Sequence, residues 1–110
     1  MLKKENRIIR NKDFDNIFKG GEKIYGKSFN LIIKKNEFNF VRIGIIISNK
    51  ISKKAVVRNK IKRRIRNIFI KNLANIKENV DIIVVTFPGV ELTPFFDLKI
   101  NLENAIRQIK

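Results

Sequence analysis

The chain has 110 residues and a formal net charge of +15, and it contains neither cysteine nor histidine. Its length fits one small domain, and the missing residue types exclude disulfides, thiolate nucleophiles, the usual zinc ligand sets and the commonest general base. Hydrophobic residues make up 44% of the chain, so we expect a folded body to display the positive charge.

Residues 1–10 form a basic arm in the sequence. Such an arm either extends along a neighbouring surface or stays loose until a partner binds, and both arrangements remain open. The segment is charged throughout, which is unlike a secretory signal, and no apolar run approaches the roughly 20 residues that span a bilayer. We therefore expect a cytoplasmic protein.

A short helix is predicted to begin at Asn11, whose side chain can cap it, and to end at Gly20-Gly21. Phe14, Ile17 and Phe18 share one face of this helix. Two interpretations of the phenylalanines remain. Either both rings pack in the core, or at least one lines a groove where a nucleic-acid base stacks.

Residues 24–35 and 40–48 are predicted to form two strands that pair as a hairpin through the polar turn Asn36-Glu37. In the second strand, alternate residues from Val41 to Ile47 mark an apolar face. The opposite face is mixed and includes Arg42, so we expect that face to be partly open to solvent.

Basic side chains crowd the polar side of a predicted amphipathic helix that follows Ser52 or the Lys53-Lys54 pair and runs to about Ile76. Its apolar residues recur at spacings of mostly three and four, which places them on one stripe. That stripe consists of Val57, Ile61, Ile65, Ile68, Leu73 and Ile76.

Acidic residues are absent from Phe38 to Lys77, although basic residues are frequent there. A helix built for its own stability would alternate Glu with Lys and gain about a few tenths of a kcal/mol per pair. Arg58 and Asn59 at the helix start carry side chains that fork hydrogen bonds to phosphates or base edges. We predict an RNA-binding surface, and the alternative is a charged face that is merely solvated.

A third strand is predicted over residues 80–87, parallel to the strand before the basic helix, because a helical connection ordinarily carries the chain back across a sheet. Thr93 followed by Pro94 is typical of a helix start. The last helix has an apolar stripe that can cover one sheet face, formed by Leu98, Leu102, Ala105, Ile106 and Ile109.

The segment A-V-V-R-N-K-I-K-R-R-I-R resembles the signature of the bacterial ribonuclease P protein family. N-K-D-F-D-N-I-F-K-G-G resembles the first helix of that family, and R-I-G-I-I-I-S-N-K-I resembles its strand before the signature. Arg58 and Asn59 match the RNR motif of the family. Lys60 replaces the final arginine, which keeps the charge but loses the bidentate fork.

The resemblance implies one α/β (α+β) domain over residues 1–110, a two-layer sandwich with a central mixed sheet and an unusual left-handed crossover from Ser48 to Val80. It implies a non-catalytic protein subunit, because in this family a large RNA is the catalyst and Mg²⁺ bound mainly by that RNA activates water. The implied product is tRNA with a mature 5′ end. No metal site on the protein, organic cofactor, membrane or protein partner is implied.

Two contact surfaces follow from the matching positions. The surface for the catalytic RNA is expected to comprise Lys50, Lys53, Arg58, Asn59, Lys60, Lys62, Arg63 and Arg66, where cations neutralise phosphates. The surface for the single-stranded 5′ leader of precursor tRNA is expected to comprise Phe14, Phe18, Ile32 and Arg42. Ile32 stands where many relatives have an aromatic residue, so one stacking platform is expected to be missing.

A ribosomal-type protein or a general RNA chaperone would share the charge, the size and the lack of catalytic residues. It would differ by not stimulating removal of a tRNA leader at low Mg²⁺. A membrane-surface role for the basic helix is disfavoured, because Val57 and Ile61 are needed against the sheet and no large aromatic residue precedes Phe69 on the apolar stripe.

Overall fold

The computed structural model describes residues 3–109, which form a four-stranded sheet with three α-helices packed against it. The sheet order is β1-β2-β4-β3, and β3 and β4 are parallel while the other neighbours are antiparallel. The mixed α+β fold is thereby confirmed, and the left-handed crossover stays a prediction. The elements are α1 (Asn11–Gly20), β1 (Glu22–Tyr25), β2 (Phe29–Lys35), β3 (Arg42–Ile46), α2 (Ala55–Asn72), β4 (Val80–Thr86) and α3 (Phe95–Arg107).

The predicted hairpin between residues 24–35 and 40–48 is wrong in two respects. First, residues 24–35 are two strands joined by a tight turn, in which Ser28 has a φ of 67° and the Gly26 N–H donates to the Phe29 carbonyl at 2.9 Å. Second, β2 and β3 do not pair, because β4 lies between them. Nearly every residue of β4 is buried, as expected of a central strand with helices on both sides.

The main core lies between one sheet face and the helices α2 and α3. Ile61, Ile65 and Ile68 of the predicted α2 stripe are at most 5% exposed, which confirms that stripe. The helix ends at Asn72 and continues as a 3-10 turn, Leu73–Asn75, so it stops earlier than expected. Packing against the sheet fixes the direction in which the polar side of α2 faces solvent.

Helix α1 crosses the opposite face of the sheet. Ile17 is 2% exposed and belongs to a second core cluster with Ile8, Ile32 and Ile83. Phe14 is half-buried against this cluster, and its ring lies so close to Gly44 that a Cβ added there would be 2.7 Å from a ring carbon. Glycine at this position therefore lets α1 approach the sheet.

Both predicted helix caps are displaced by one residue. Arg10 occupies the N-cap position of α1, and Asn11 is already helical. Pro94 occupies the N-cap position of α3, while the Thr93 hydroxyl donates to the Gly89 carbonyl at 3.0 Å. Thr93 thus closes the turn before the helix instead of capping the helix.

Residues 3–10, the described part of the N-terminal arm, lie along the outer edge of β3. The Ile8 N–H donates to the Ile43 carbonyl at 3.0 Å, and the Asn6 amide donates to the Val41 carbonyl at 2.7 Å. The arm therefore covers a sheet edge that would otherwise expose unpaired backbone groups. Residues 1 and 2 of the predicted arm lie outside the described residues.

Candidate RNA interface

The polar side of α2 carries positive charge that the protein does not neutralise. Between residues 3 and 109 the ion pairs are Lys35 with Glu78 and Arg42 with both Asp13 and Asp81, and none of them involves α2. Lys60 and Arg63 are exposed, and Lys62 and Arg66 are half-buried. A polyanion is the natural complement of such a surface, because each phosphate contact releases a condensed counterion.

A cleft of about 480 Å³ lies between α2 and the N-terminal arm, and we call it the α2 cleft. Amide and guanidinium groups on its walls offer the donors that bind phosphate oxygens in pairs. It brings together part of the predicted catalytic-RNA surface with residues that the sequence did not single out. The lining consists of Arg7, Asn59, Lys62, Arg63, Arg66, Asn67 and Ile70.

The remaining residues of the predicted catalytic-RNA surface lie outside the α2 cleft. Lys60 is exposed on α2 itself, and Lys50 and Lys53 are exposed in the segment before it. Arg58 is half-buried, and its guanidinium donates to the Ser52 carbonyl at 2.9 Å. Arg58 therefore holds the segment that carries the two lysines against the first turn of α2.

The opposite sheet face has an uncovered part beside α1, and we call it the open face. Asn30, Ile46 and Val85 share this side of the sheet with Ile32 and Ile83, and they are only half-buried. Phe18 on α1 is 44% exposed, whereas Phe14 packs into the cluster below. The two phenylalanines therefore occupy different environments, one at the surface and one partly in the core.

Alanine substitutions are expected to separate these environments. Phe14→Ala should lower the free energy of unfolding by about 2–3 kcal/mol, because it removes a half-buried ring over Gly44. Phe18→Ala should cost less than about 1 kcal/mol, because the ring is largely at the surface. Urea unfolding of the two variants checks this difference, and equal losses would contradict it.

Ile32 and Arg42 lie beneath α1 and support it, and their expected contact with the leader stays a prediction. Ile32 is 3% exposed beneath the helix. The Arg42 Nε donates to one Asp81 oxygen at 2.8 Å, a terminal nitrogen donates to the other at 2.6 Å, and the second terminal nitrogen donates to Asp13 at 3.3 Å. The hydrogen bonds to Asp81 raise the pKa of Arg42 above its usual value. Arg42 thus ties α1 to β3 and β4.

Tyr25 is a candidate contact that the sequence reasoning missed. It is the only tyrosine in the chain, it lies on the edge strand β1, and it is 73% exposed. Because Lys23 pairs with Ile32 and Tyr25 pairs with Asn30, the Tyr25 side chain shares the sheet face that α1 crosses. Recognising the turn after Tyr25 would have placed this ring on a short strand of its own.

Comparison with known proteins identifies the family. The family model described as Ribonuclease P matches residues 2–110. The chain belongs to the ribonuclease P protein family. It is a protein component of ribonuclease P, a subunit that acts in the maturation of tRNA 5′ ends in association with RNA and the tRNA substrate.

Relatives of this ribonuclease P protein include the ribonuclease P protein component of Streptococcus pneumoniae strain Hungary19A-6. The two are 36% identical over 109 residues, which cover 99% of this chain and 88% of the relative. Among solved structures, the Staphylococcus aureus ribonuclease P protein is 33% identical with a TM-score of 0.86, and the match covers 93% of each chain. The Thermotoga maritima protein is 30% identical with a TM-score of 0.86, covering 94% of this chain and 97% of that one.

Two further findings concern metals and membranes. Within residues 3–109 no three or more acidic, histidine or cysteine side chains lie close enough to hold a metal ion. None of the helices in the same range is both long and apolar enough to cross a bilayer. The expected cytoplasmic location stays a prediction.

Proposed function

We propose that this ribonuclease P protein binds the catalytic RNA of ribonuclease P through α2 and the 5′ leader of precursor tRNA through the open face. The observation that carries the proposal is the unneutralised charge on α2, which stands on a rigid scaffold and faces away from the core. The protein holds the leader in register while the RNA catalyses cleavage. It contributes binding free energy and no bond-breaking group.

The two surfaces lie on different sides of the sheet. Helix α2 packs on one face, and the open face beside α1 is on the other. This separation allows two RNA segments to bind at once, with the cations between them reducing the repulsion of their phosphates. Mg²⁺ that activates the attacking water is assigned to the RNA in this proposal, and no step depends on a metal held by the protein.

Stacking supplies the affinity of the open face for an unpaired leader. Aromatic rings bind successive bases with little sequence preference, since every base has a π-face. Phe18 and Tyr25 offer exposed rings on this side of the molecule, and Asn30 offers a half-buried amide between the strands. The leader contact of this chain is therefore proposed to use Tyr25 on β1, since Ile32 on β2 is covered.

Reconstitution tests the proposed function. The full-length protein is mixed with a bacterial ribonuclease P RNA at low Mg²⁺ and a labelled precursor tRNA. Stimulated release of the leader, giving a mature 5′ end, is the expected result. Binding of both RNAs without stimulated cleavage would overturn the proposal and would favour a ribosomal-type or general RNA-binding protein. The RNA without the protein and the protein without the RNA serve as the controls.

Tyr25→Ala is expected to weaken binding of the leader by about tenfold, because stacking on one aromatic ring contributes about 1–3 kcal/mol. Tyr25→Phe retains the ring and should bind within about twofold of the unchanged protein. The chain has no tryptophan, so its intrinsic fluorescence above that of phenylalanine comes from Tyr25 alone. Quenching of this signal by a leader oligonucleotide measures binding to the unchanged protein, and the fluorescence anisotropy of a labelled oligonucleotide measures binding to the two variants, which contain no tyrosine. An equal loss of affinity in both variants would contradict stacking.

A further inference from the structure

A second cleft, of about 490 Å³, lies on the other side of the N-terminal arm from the α2 cleft. It is bounded by the arm, the first turn of α1 and the loop between β2 and β3. We call it the Phe38 cleft. Its aromatic walls are Phe38 and Phe40, and Ile9 adds an apolar side chain that is 63% exposed.

The Phe38 ring is held at the surface by a fixed loop. Its backbone N–H donates to the Asn36 side-chain oxygen at 2.9 Å, and the Asn36 amide donates to Asp81 at 2.8 Å. Phe40 stacks on the ring with centroids 5.3 Å apart, and the Arg42 guanidinium lies 4.5 Å from the ring centroid. Even with these neighbours Phe38 is 45% exposed, so the loop presents a pre-oriented apolar surface to solvent.

Basic residues surround this ring and connect it to α2. Lys4, Arg7 and Arg10 of the arm line the Phe38 cleft, and Arg7 also lines the α2 cleft. The acidic residues on its walls are Glu5 and Asp13, and Asp13 already pairs with Arg42 at 3.3 Å. A continuous basic path therefore runs from α2 past the arm to the exposed ring.

We propose that the Phe38 cleft binds an unpaired nucleotide of an RNA strand whose neighbouring phosphates lie in the α2 cleft. An aromatic ring among cations recognises a base with its phosphates, and only an unstacked base can reach such a ring. This goes beyond the proposed function, which uses the polar side of α2 and the open face. The Phe38 cleft is thus a third proposed RNA contact, next to the part of the N-terminal arm that lies along β3.

A single tryptophan tests the site directly. The chain contains no tryptophan, so Phe38→Trp in the full-length protein places the only indole at this position. Ten-nucleotide single-stranded oligoadenylate is expected to quench the indole emission, since its bases stack on the ring. Heparin, a polyanion without bases, is expected to bind with little quenching. Equal quenching by heparin, or none by oligoadenylate, would overturn the proposal.

Affinity measurements give a second readout with a matched control. In a protein that also carries Phe18→Ala and Tyr25→Ala, and so lacks the exposed rings of the open face, Phe38→Ala is expected to weaken oligoadenylate binding about tenfold, as loss of one stacked base does. Phe96→Ala removes a ring on α3 that is 65% exposed and outside both clefts, and it should leave binding unchanged. Identical affinities for the two variants would refute the site. Neither readout uses tRNA or the catalytic RNA. A negative result with oligoadenylate would therefore count against the Phe38 cleft and not against the proposed function, which the reconstitution tests.

Discussion

Replacing Arg42 with alanine is expected to lower the free energy of unfolding by about 3–5 kcal/mol. The guanidinium makes two hydrogen bonds to Asp81, at 2.8 and 2.6 Å, and the Asp81 side chain is only 8% exposed. Without the arginine a buried carboxylate loses its charged partner, and Asp13 on α1 loses its link to β3. Urea unfolding followed by circular dichroism measures the loss.

A surface pair elsewhere in the fold provides the matched control. Lys35 lies 4.0 Å from Glu78, and their side chains are 79% and 48% exposed. Lys35→Ala should cost no more than about 1 kcal/mol, because water and salt screen an exposed ion pair. If the two substitutions cost the same, the Arg42 cluster is no more stabilising than a surface pair, and its role in positioning α1 is wrong.

Replacing Lys62, Arg63 and Arg66 together with alanine is expected to weaken binding to ribonuclease P RNA by about two to three orders of magnitude near 0.1 M salt. These cations line one cleft and have no acidic partner among the described ion pairs. Each phosphate contact contributes about 0.9 to the slope of log K against log salt. The slope should therefore fall by up to about three, which filter binding over a salt series measures.

A second triple variant separates a local effect from net charge. Lys35, Lys77 and Arg107 are exposed and lie outside both the α2 cleft and the Phe38 cleft. Their joint replacement removes the same charge, and we expect the salt slope to change by less than about one. Equal losses in the two triple variants would show that total charge, rather than the α2 cleft, sets the affinity.

Local pattern accounts for the parts of the fold that the sequence predicted well. Apolar residues spaced by three and four lie on one face of a helix, so the sequence predicts that Ile61, Ile65 and Ile68 face the core, where the structure places them. The parallel pairing of β3 and β4 followed from the helix between them. Element ends were less accurate, because caps depend on hydrogen bonds such as the one from Thr93 to Gly89.

Strand order could not be read from local pattern. Residues adjacent in sequence were expected to pair, yet β2 pairs with a strand that begins 45 positions after its last residue, Lys35, as the register of Lys35 with Val80 shows. The nearly continuous apolar run of β4 is typical of a strand buried on both faces, and it is the one local signal that could have placed β4 in the centre of the sheet.

Alternation along a strand tells which face a side chain takes, but not what covers that face. Ile32 and Arg42 lie on the same side of the sheet, where α1 buries the first and engages the second. The Asp81 partner of Arg42 is 39 residues away, a distance over which the sequence gives no pairing signal. The positive charge of α2 was easier to predict, because the absence of acidic residues can be read directly from the sequence.

The central place of β4 also bears on synthesis of the protein. Among the described strands β4 is synthesised last, and it lies between β2 and β3. The sheet therefore cannot form completely before Thr86 has been synthesised. A polypeptide that ends before β4 would contain the cationic helix α2 without the complete sheet that orients it. We expect the ability to bind RNA to arise only after Thr86 has been synthesised and β4 has joined the sheet.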